Sequence, residues 1–471
     1  MSKKDKELRQ QVACEWLEQN YLNWGHLRHD IVTDRLQIRC ADNTGEEAIR
    51  RGGERQERWR NLTDKDINTM VCNCVAESQV NINVSEMWTA LKSDMVPSVH
   101  PIRAWLDGLP PYTPDQPDWI DLVAQKVTVK PSLLSDDRPK GLLDRTSCCE
   151  TTALRDRTEG AERPMESLSE PRERSKADAL WRTCFKKWFV AMVASWMKDE
   201  VVNHTVLVFV GRQGIFKTTW LDHLIPPALR EYSSKLPLSG QISKDDRLRL
   251  CENAMLNIDE LDAICGREMN IIKSLLTSTD VNERAAYGRL KERRVRLASF
   301  CASTNNREFL TDVTGNRRWL PFEVESIQNP FHITLPYELI YAQAKALVES
   351  GRFIYWFDLE DIEQLEKHNE EFRAQDSEEQ LLPILFDVPA EGKGEFMTTA
   401  EISDKLVTYG GIKKPMSTRQ LGILLSKMGF TKKKMHMSAT SVRGWMVYER
   451  KTDEINLAKK TGTSGHTDNI F

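Results

Sequence analysis

Lys217 and Thr218 follow two glycines, Gly211 and Gly214, in the run VLVFVGRQGIFKTTW at 206–220. An amine and a hydroxyl at this spacing behind a glycine turn suit phosphate chemistry. Backbone N–H groups cradle the phosphates, the lysine reaches the β and γ groups, and the hydroxyl holds magnesium. The expected ligand is ATP with Mg2+, held by Gly211, Arg212, Gln213, Gly214, Ile215, Phe216, Lys217, Thr218 and Thr219. One position departs from the pattern, because Phe216 stands where a second glycine should precede the lysine. Its side chain must point away from the phosphates. The competing reading is an ordinary strand-to-helix turn with a surface lysine.

Downstream, AMLNIDE (254–260) is an apolar run that ends in two carboxylates. After a phosphate loop, such a strand places Asp259 beside the metal with Thr218, and Glu260 polarises the attacking water. LASFCAST (297–304) leads to Asn305, whose amide at a strand tip can orient that water. TGNRRWLPFEV (314–324) presents Arg317 and Arg318 on a loop before a further strand. A guanidinium offered to a neighbour's nucleotide would stabilise the spreading charge of phosphoryl transfer. Salt-bridged loop arginines are the alternative. Lys217, Glu260, Asn305, Arg317 and Arg318 form the candidate catalytic set.

These groups need a sheet to position them. Val206–Val210 is continuously apolar and rich in branched residues, as in a strand covered on both faces. ADALWRTCFKKWFVAMVASWMKD (177–199) carries Trp181, Phe185, Trp188, Phe189, Met192 and Trp196 at helical spacing. That stripe reads as core beneath the sheet rather than a platform for bases. Residues 234–253 link the loop helix to the carboxylate strand through a polar loop and a helix, and 267–278 form an amphipathic helix. Between 284 and 296 stand six basic residues and one acid, Glu292. A basic hairpin there could place Arg289, Lys291, Arg293 and Arg294 on a phosphate backbone. A solvated charged face fits the same run.

The net charge of −4 over 471 residues shows no overall basic excess, so nucleic-acid binding must be local. No apolar run approaches membrane-spanning length, and MSKKDKELRQ lacks the apolar stretch of a signal peptide. The ten cysteines are scattered without zinc-ligand spacing, which reads as reduced thiols in a cytoplasmic protein. Residues 1–129 read as an α+β module: a strand over 30–40, a helix capped at Thr63 with Asp66, a helix from Ser85, and a capped helix at 99–112 in which His100 and Arg103 are structural. Residues 130–177, rich in charge, Ser and Pro and without aromatics, read as a disordered insert. A central core over 178–330 and a helical connector over 331–385 follow. Helix, helix and hairpin over 386–450 make a winged-helix pattern. There Ser417 caps the helix carrying Arg419, and Lys432, Lys433, Lys434 and Arg443 line the wing. Such a domain can also dock proteins. A tail, 451–471, reads as disordered.

In order, GRQGIFKTTW, MLNIDE, ERAAYGR, STNN and TGNRRW resemble the virulence-associated protein E family over roughly 95–450. The forms they most resemble come from Bacteroidetes-type mobile elements. The resemblance implies an α/β AAA+ P-loop ATPase core, related to superfamily III helicases and poxvirus-type primase-helicases. It also implies a hexameric ring with ATP between subunits. Carried over, Asn305 is the sensor, Arg318 with Arg317 the finger in trans, and the Arg289–Arg294 stretch a DNA-gripping hairpin in the central channel. No primase motif precedes the core, so priming belongs to a separate protein or is absent. The expected activity is an ATP-driven DNA helicase or translocase in mobile-element replication. A nucleotide-gated DNA-binding initiator or regulator and a defence ATPase remain as rivals.

Overall fold

The computed structural model describes residues 3–40, 59–131, 176–236, 243–259, 261, 266–283, 292–310, 316–374, 377–389, 394–413, 415–437 and 440–451. Most of the insert, nearly all of the tail, Glu260 and the hairpin positions Arg289 and Lys291 lie outside them. The chain divides into two compact units, 1–372 and 373–471, and is of mixed α/β type.

The first unit opens with a small sheet, β1 (27–30), β2 (35–39), β3 (59–61) and β4 (98–99), in the order β3-β2-β1-β4. The single strand expected over 30–40 is instead a hairpin. The buried Asp30 carboxylate accepts N–H groups from Val32 at 2.8 Å and Thr33 at 3.4 Å, and Asp34 takes a left-handed φ of 55°. A local side-chain-to-backbone bond of this kind turns the chain where a ladder would otherwise continue. The helices expected here form at 64–78 and 84–91, the first with a reciprocal Thr63–Asp66 capping box. They pack with helix 3–17 around Trp16, Ile67, Met70 and Met87.

His100 caps the helix 101–107, its Nδ1 accepting the Arg103 N–H at 3.3 Å. Burial, with the nearby Arg103 charge, drops its pKa to about 4. An unfolded histidine titrates near 6.5, so between these values the unfolded chain holds the extra proton, and stability falls as pH drops through that window. Urea midpoints at pH 7 and pH 4.5 are expected to differ less in His100→Asn, which keeps a capping oxygen without a titrating group.

The larger sheet runs β5-β12-β6-β11-β8-β7, with β5 (127–129), β6 (206–210), β7 (233–235), β8 (255–258), β11 (299–304) and β12 (319–327). All neighbours are parallel except β5, which runs antiparallel to β12. Residues 101–129, expected within the N-terminal module, therefore serve this sheet instead: Ile102, Leu106, Ile120 and Val127 join its core. β7 is a short edge strand inside what reads as a polar loop.

β6 is buried throughout because both faces are covered. Leu207 and Phe209 face the helix 176–197, while Val206, Val208 and Val210 face the other way, among residues of the 266–277 helix. Period-two alternation divides one apolar run between two cores. The aromatic stripe of 176–197 is core, and its indoles are satisfied: Trp181 donates to Ala124, Trp188 to Phe300 and Trp196 to Ala254 carbonyls, at 3.0–3.1 Å. Between β8 and β11 stands an antiparallel pair, β9 (280–283) and β10 (292–295). Among the described residues no helix is long and apolar enough to cross a membrane.

The second unit holds helices 377–385, 399–410 and 418–427 and the strands β13 (386–387), β14 (395–397), β15 (431–437) and β16 (440–449). Leu382, Leu385, Leu406, Leu421 and Trp445 form its core, so helix 377–385, expected in a connector, belongs to this unit. Ser417 caps 418–427 in a reciprocal box with Gln420.

Candidate functional site

The loop from β6 to helix 217–222 bends at Gly211, where φ is +153°. A Cβ there would sit 2.9 Å from the Val324 carbonyl of β12, so only glycine lets the two strands pass. Gly214 supplies the second turn at φ +86°. Phe216 is left-handed, φ +67°, and its ring meets Phe331 edge-on at 6.3 Å. For an L-residue that backbone costs about 1–2 kcal/mol. Phe216→Gly and Phe216→Ala both lose the ring contact, and only glycine relieves the backbone. The glycine variant is therefore expected to be the more stable of the two by about 1 kcal/mol in urea unfolding.

Lys217 extends beneath this loop with its side chain nearly buried. Its ammonium donates to the carbonyls of Gly211 at 2.6 Å and Arg212 at 2.8 Å, and to Asn305 Oδ1 at 3.0 Å. Asn305 arrives at the end of β11, which lies between β6 and β8 and so carries it to the lysine. Thr218 Oγ1 donates to Asp259 Oδ1 at 3.1 Å, and the Ser303 hydroxyl lies 2.9 Å from Thr218 and 3.1 Å from Asp259 Oδ1. Lys235 donates to Asp259 Oδ2 at 2.6 Å. Burial alone would raise the Asp259 pKa, but the bonds from Lys235, Thr218 and Ser303 outweigh it and hold the carboxyl below its usual range.

Gln213, Gly214, Phe216, Lys217, Thr218, Thr219, Asp259, Ser303, Thr304 and Asn305 line one cleft of about 360 Å³. Residues drawn from three separate stretches of sequence thus converge. Ser303, Thr304 and Lys235 are the participants that the sequence reading does not single out. Strand alternation carries a signal for Ser303, two positions before Asn305 and on the same side of β11. Lys235 sits on the unforeseen β7, and no local pattern marks it.

Other expected residues lie elsewhere. Arg317 and Arg318 form the 316–318 turn into β12 and line a separate groove of about 420 Å³ with Tyr355, Trp356 and Phe357. Arg293 is exposed and paired with Asp280. Arg294 turns inward onto Glu252 and the Val32 carbonyl. Arg296, part of the same basic run, is fully buried. In the second unit Arg419 is exposed on the first turn of its helix, and Lys432, Lys433 and Lys434 are exposed along β15, with Lys432 5.0 Å over the Trp445 ring.

Two solved structures of the NrS-1 C-terminal region (305–718) are similar in extent. One covers 90% of this chain and 96% of its own at 11% identity and TM-score 0.36. The other covers 92% and 99% at 11% identity and TM-score 0.38. No curated protein matches the chain. Residues 160–374 match the model of the virulence-associated protein E-like domain, a span that contains every residue lining the cleft. The part of the chain that builds the cleft is a virulence-associated protein E-like domain.

Proposed function

We propose that the chain is a P-loop ATPase of AAA+/superfamily III type that drives movement along DNA in the replication of a mobile element. The observation that carries this reading is one arrangement: β11 inserted between the loop strand β6 and the carboxylate strand β8, delivering Asn305 to Lys217 while Asp259 meets Thr218. A sheet that merely needed a strand-to-helix turn has no reason to converge those four side chains.

The donors Thr218, Asp259 and Ser303 are all hard oxygens, the set that suits magnesium. Thr218 and Asp259 would hold it, and it would neutralise charge on the phosphates. Lys217, released from the loop carbonyls, would take the β and γ phosphates. Asn305 would orient the water, with Glu260 as its general base. Arg318, with Arg317, would complete a neighbour's site within a hexameric ring. Their place in a groove with the half-exposed Trp356 supports a surface made to be covered. The exposed Arg293, with Arg289 and Lys291, would contact DNA in the channel. The second unit would be a winged helix using Arg419 and Lys432–Lys434 on phosphates, with any priming left to a separate protein.

The test is ATP turnover with and without single-stranded DNA, alongside displacement of a labelled strand. Turnover stimulated by DNA, together with displacement, is the expected result. Nucleotide binding without turnover under either condition would sink the motor and leave a nucleotide-gated regulator.

A further inference from the structure

Asp259 uses its two oxygens differently. Oδ1 accepts the Thr218 and Ser303 hydroxyls, while Oδ2 accepts the Lys235 ammonium at 2.6 Å. The backbone of Lys235 is fixed at the sheet edge. Leu236 N–H donates to the Asn257 carbonyl at 2.9 Å, and the Lys235 carbonyl accepts from the Arg249 guanidinium at 3.0 Å. Its side chain is 58% exposed. A four-carbon stem on a pinned strand can swing its charge out of the cleft without disturbing β7.

We infer that Lys235 is a positioning residue that stands in for the divalent cation: it neutralises Asp259 when no metal–nucleotide complex is bound, and must withdraw when one arrives. The inference rests on the reading of the cleft given above. A carboxylate set among hydroxyls in a half-enclosed cleft needs a counter-charge. An ammonium on Oδ2 and a divalent ion on Oδ1 of one carboxylate stand close enough to repel, so each weakens the hold of the other on Asp259. Lys235 therefore competes with magnesium. It sets the magnesium concentration at which nucleotide binds, while leaving affinity at saturating magnesium unchanged.

The test titrates magnesium into the full-length protein with a fluorescent, non-hydrolysable ATP analogue, reading bound nucleotide. In Lys235→Ala the half-saturating magnesium concentration is expected to fall roughly two- to five-fold, the range that an exposed ion pair supports. Lys235→Arg, which keeps the charge, is expected to stay near wild type. An unchanged half-point in Lys235→Ala overturns the inference. So does weaker nucleotide binding by that variant at saturating magnesium, since Lys235 would then be a phosphate contact. Wild type that binds no nucleotide at any magnesium concentration overturns the reading of the cleft itself, and this inference with it.

Discussion

Lys217→Ala is expected to lower ATP turnover at least ~100-fold, with most of the loss in nucleotide binding. The lysine is the cation rooted at the floor of the cleft, and its ammonium spans the loop carbonyls and Asn305. Alanine removes the charge that would meet the phosphates, and it also frees the Gly211 and Arg212 carbonyls to turn into the space a nucleotide needs. The fold should be spared, because water entering the cleft can solvate those carbonyls. Equilibrium binding of the fluorescent analogue and steady-state hydrolysis check the first point, and an unchanged urea midpoint checks the second. Turnover within a few-fold of wild type would mean that hydrolysis occurs elsewhere, and the cleft would lose its assigned role.

Arg296→Met is expected to cost stability rather than chemistry, about 3 kcal/mol in the first unit. The side chain is fully buried and makes no ion pair among the described residues. Its guanidinium instead donates to the carbonyls of Leu275, Leu276, Ser278, Ala298 and Asn203 and lies 5.0 Å from the Phe300 ring. Burial alone lowers its pKa to about 9. Leu275 and Leu276 close the helix 266–277, so the arginine caps carbonyls that the helix itself leaves without donors. Methionine fills much of the volume and restores none of those bonds. Lysine has one nitrogen in place of a planar fork and is expected to fall between the two. Tryptophan fluorescence during urea unfolding reports this unit well, since of the thirteen tryptophans only Trp445 lies in the second. A midpoint unmoved in Arg296→Met would show that those carbonyls find other donors at no cost.

Local rules made much of this architecture readable. The apolar run of β6, the glycines that turn its loop, the capping pair Thr63–Asp66, the cap at Ser417, and the aromatic stripe of 176–197 each act within a few residues. Each appears where its pattern places it. What escaped depends on distant partners. Lys235 matters because β7 pairs with β8, and nothing in SKLPLSG reports that pairing. Arg294 and Arg296 look like their exposed neighbour Arg293 in sequence. Strand alternation, Glu252 and a row of carbonyls decide which of the three turns inward. Asp30 breaks a run that alternates like a strand, and it is held by Tyr232 at 3.0 Å, some two hundred positions away. The seam at β5 is of the same kind: VTV is an unremarkable tripeptide until β12 offers it an edge.

β10 passes into β11 with only residues 296–298 between them, and Asn305, bonded to the lysine, follows the end of β11. The base of the basic hairpin and the Asn305 amide are therefore joined by one short run of chain, with the Arg296 side chain buried at the junction of the two strands. Eight residues separate Arg296 from Asn305, and six of them form β11, about 20 Å of strand. β11 is bonded to β6 along one edge and to β8 along the other, so a load on the hairpin would reach Asn305 through the whole sheet rather than through one strand or a soft hinge.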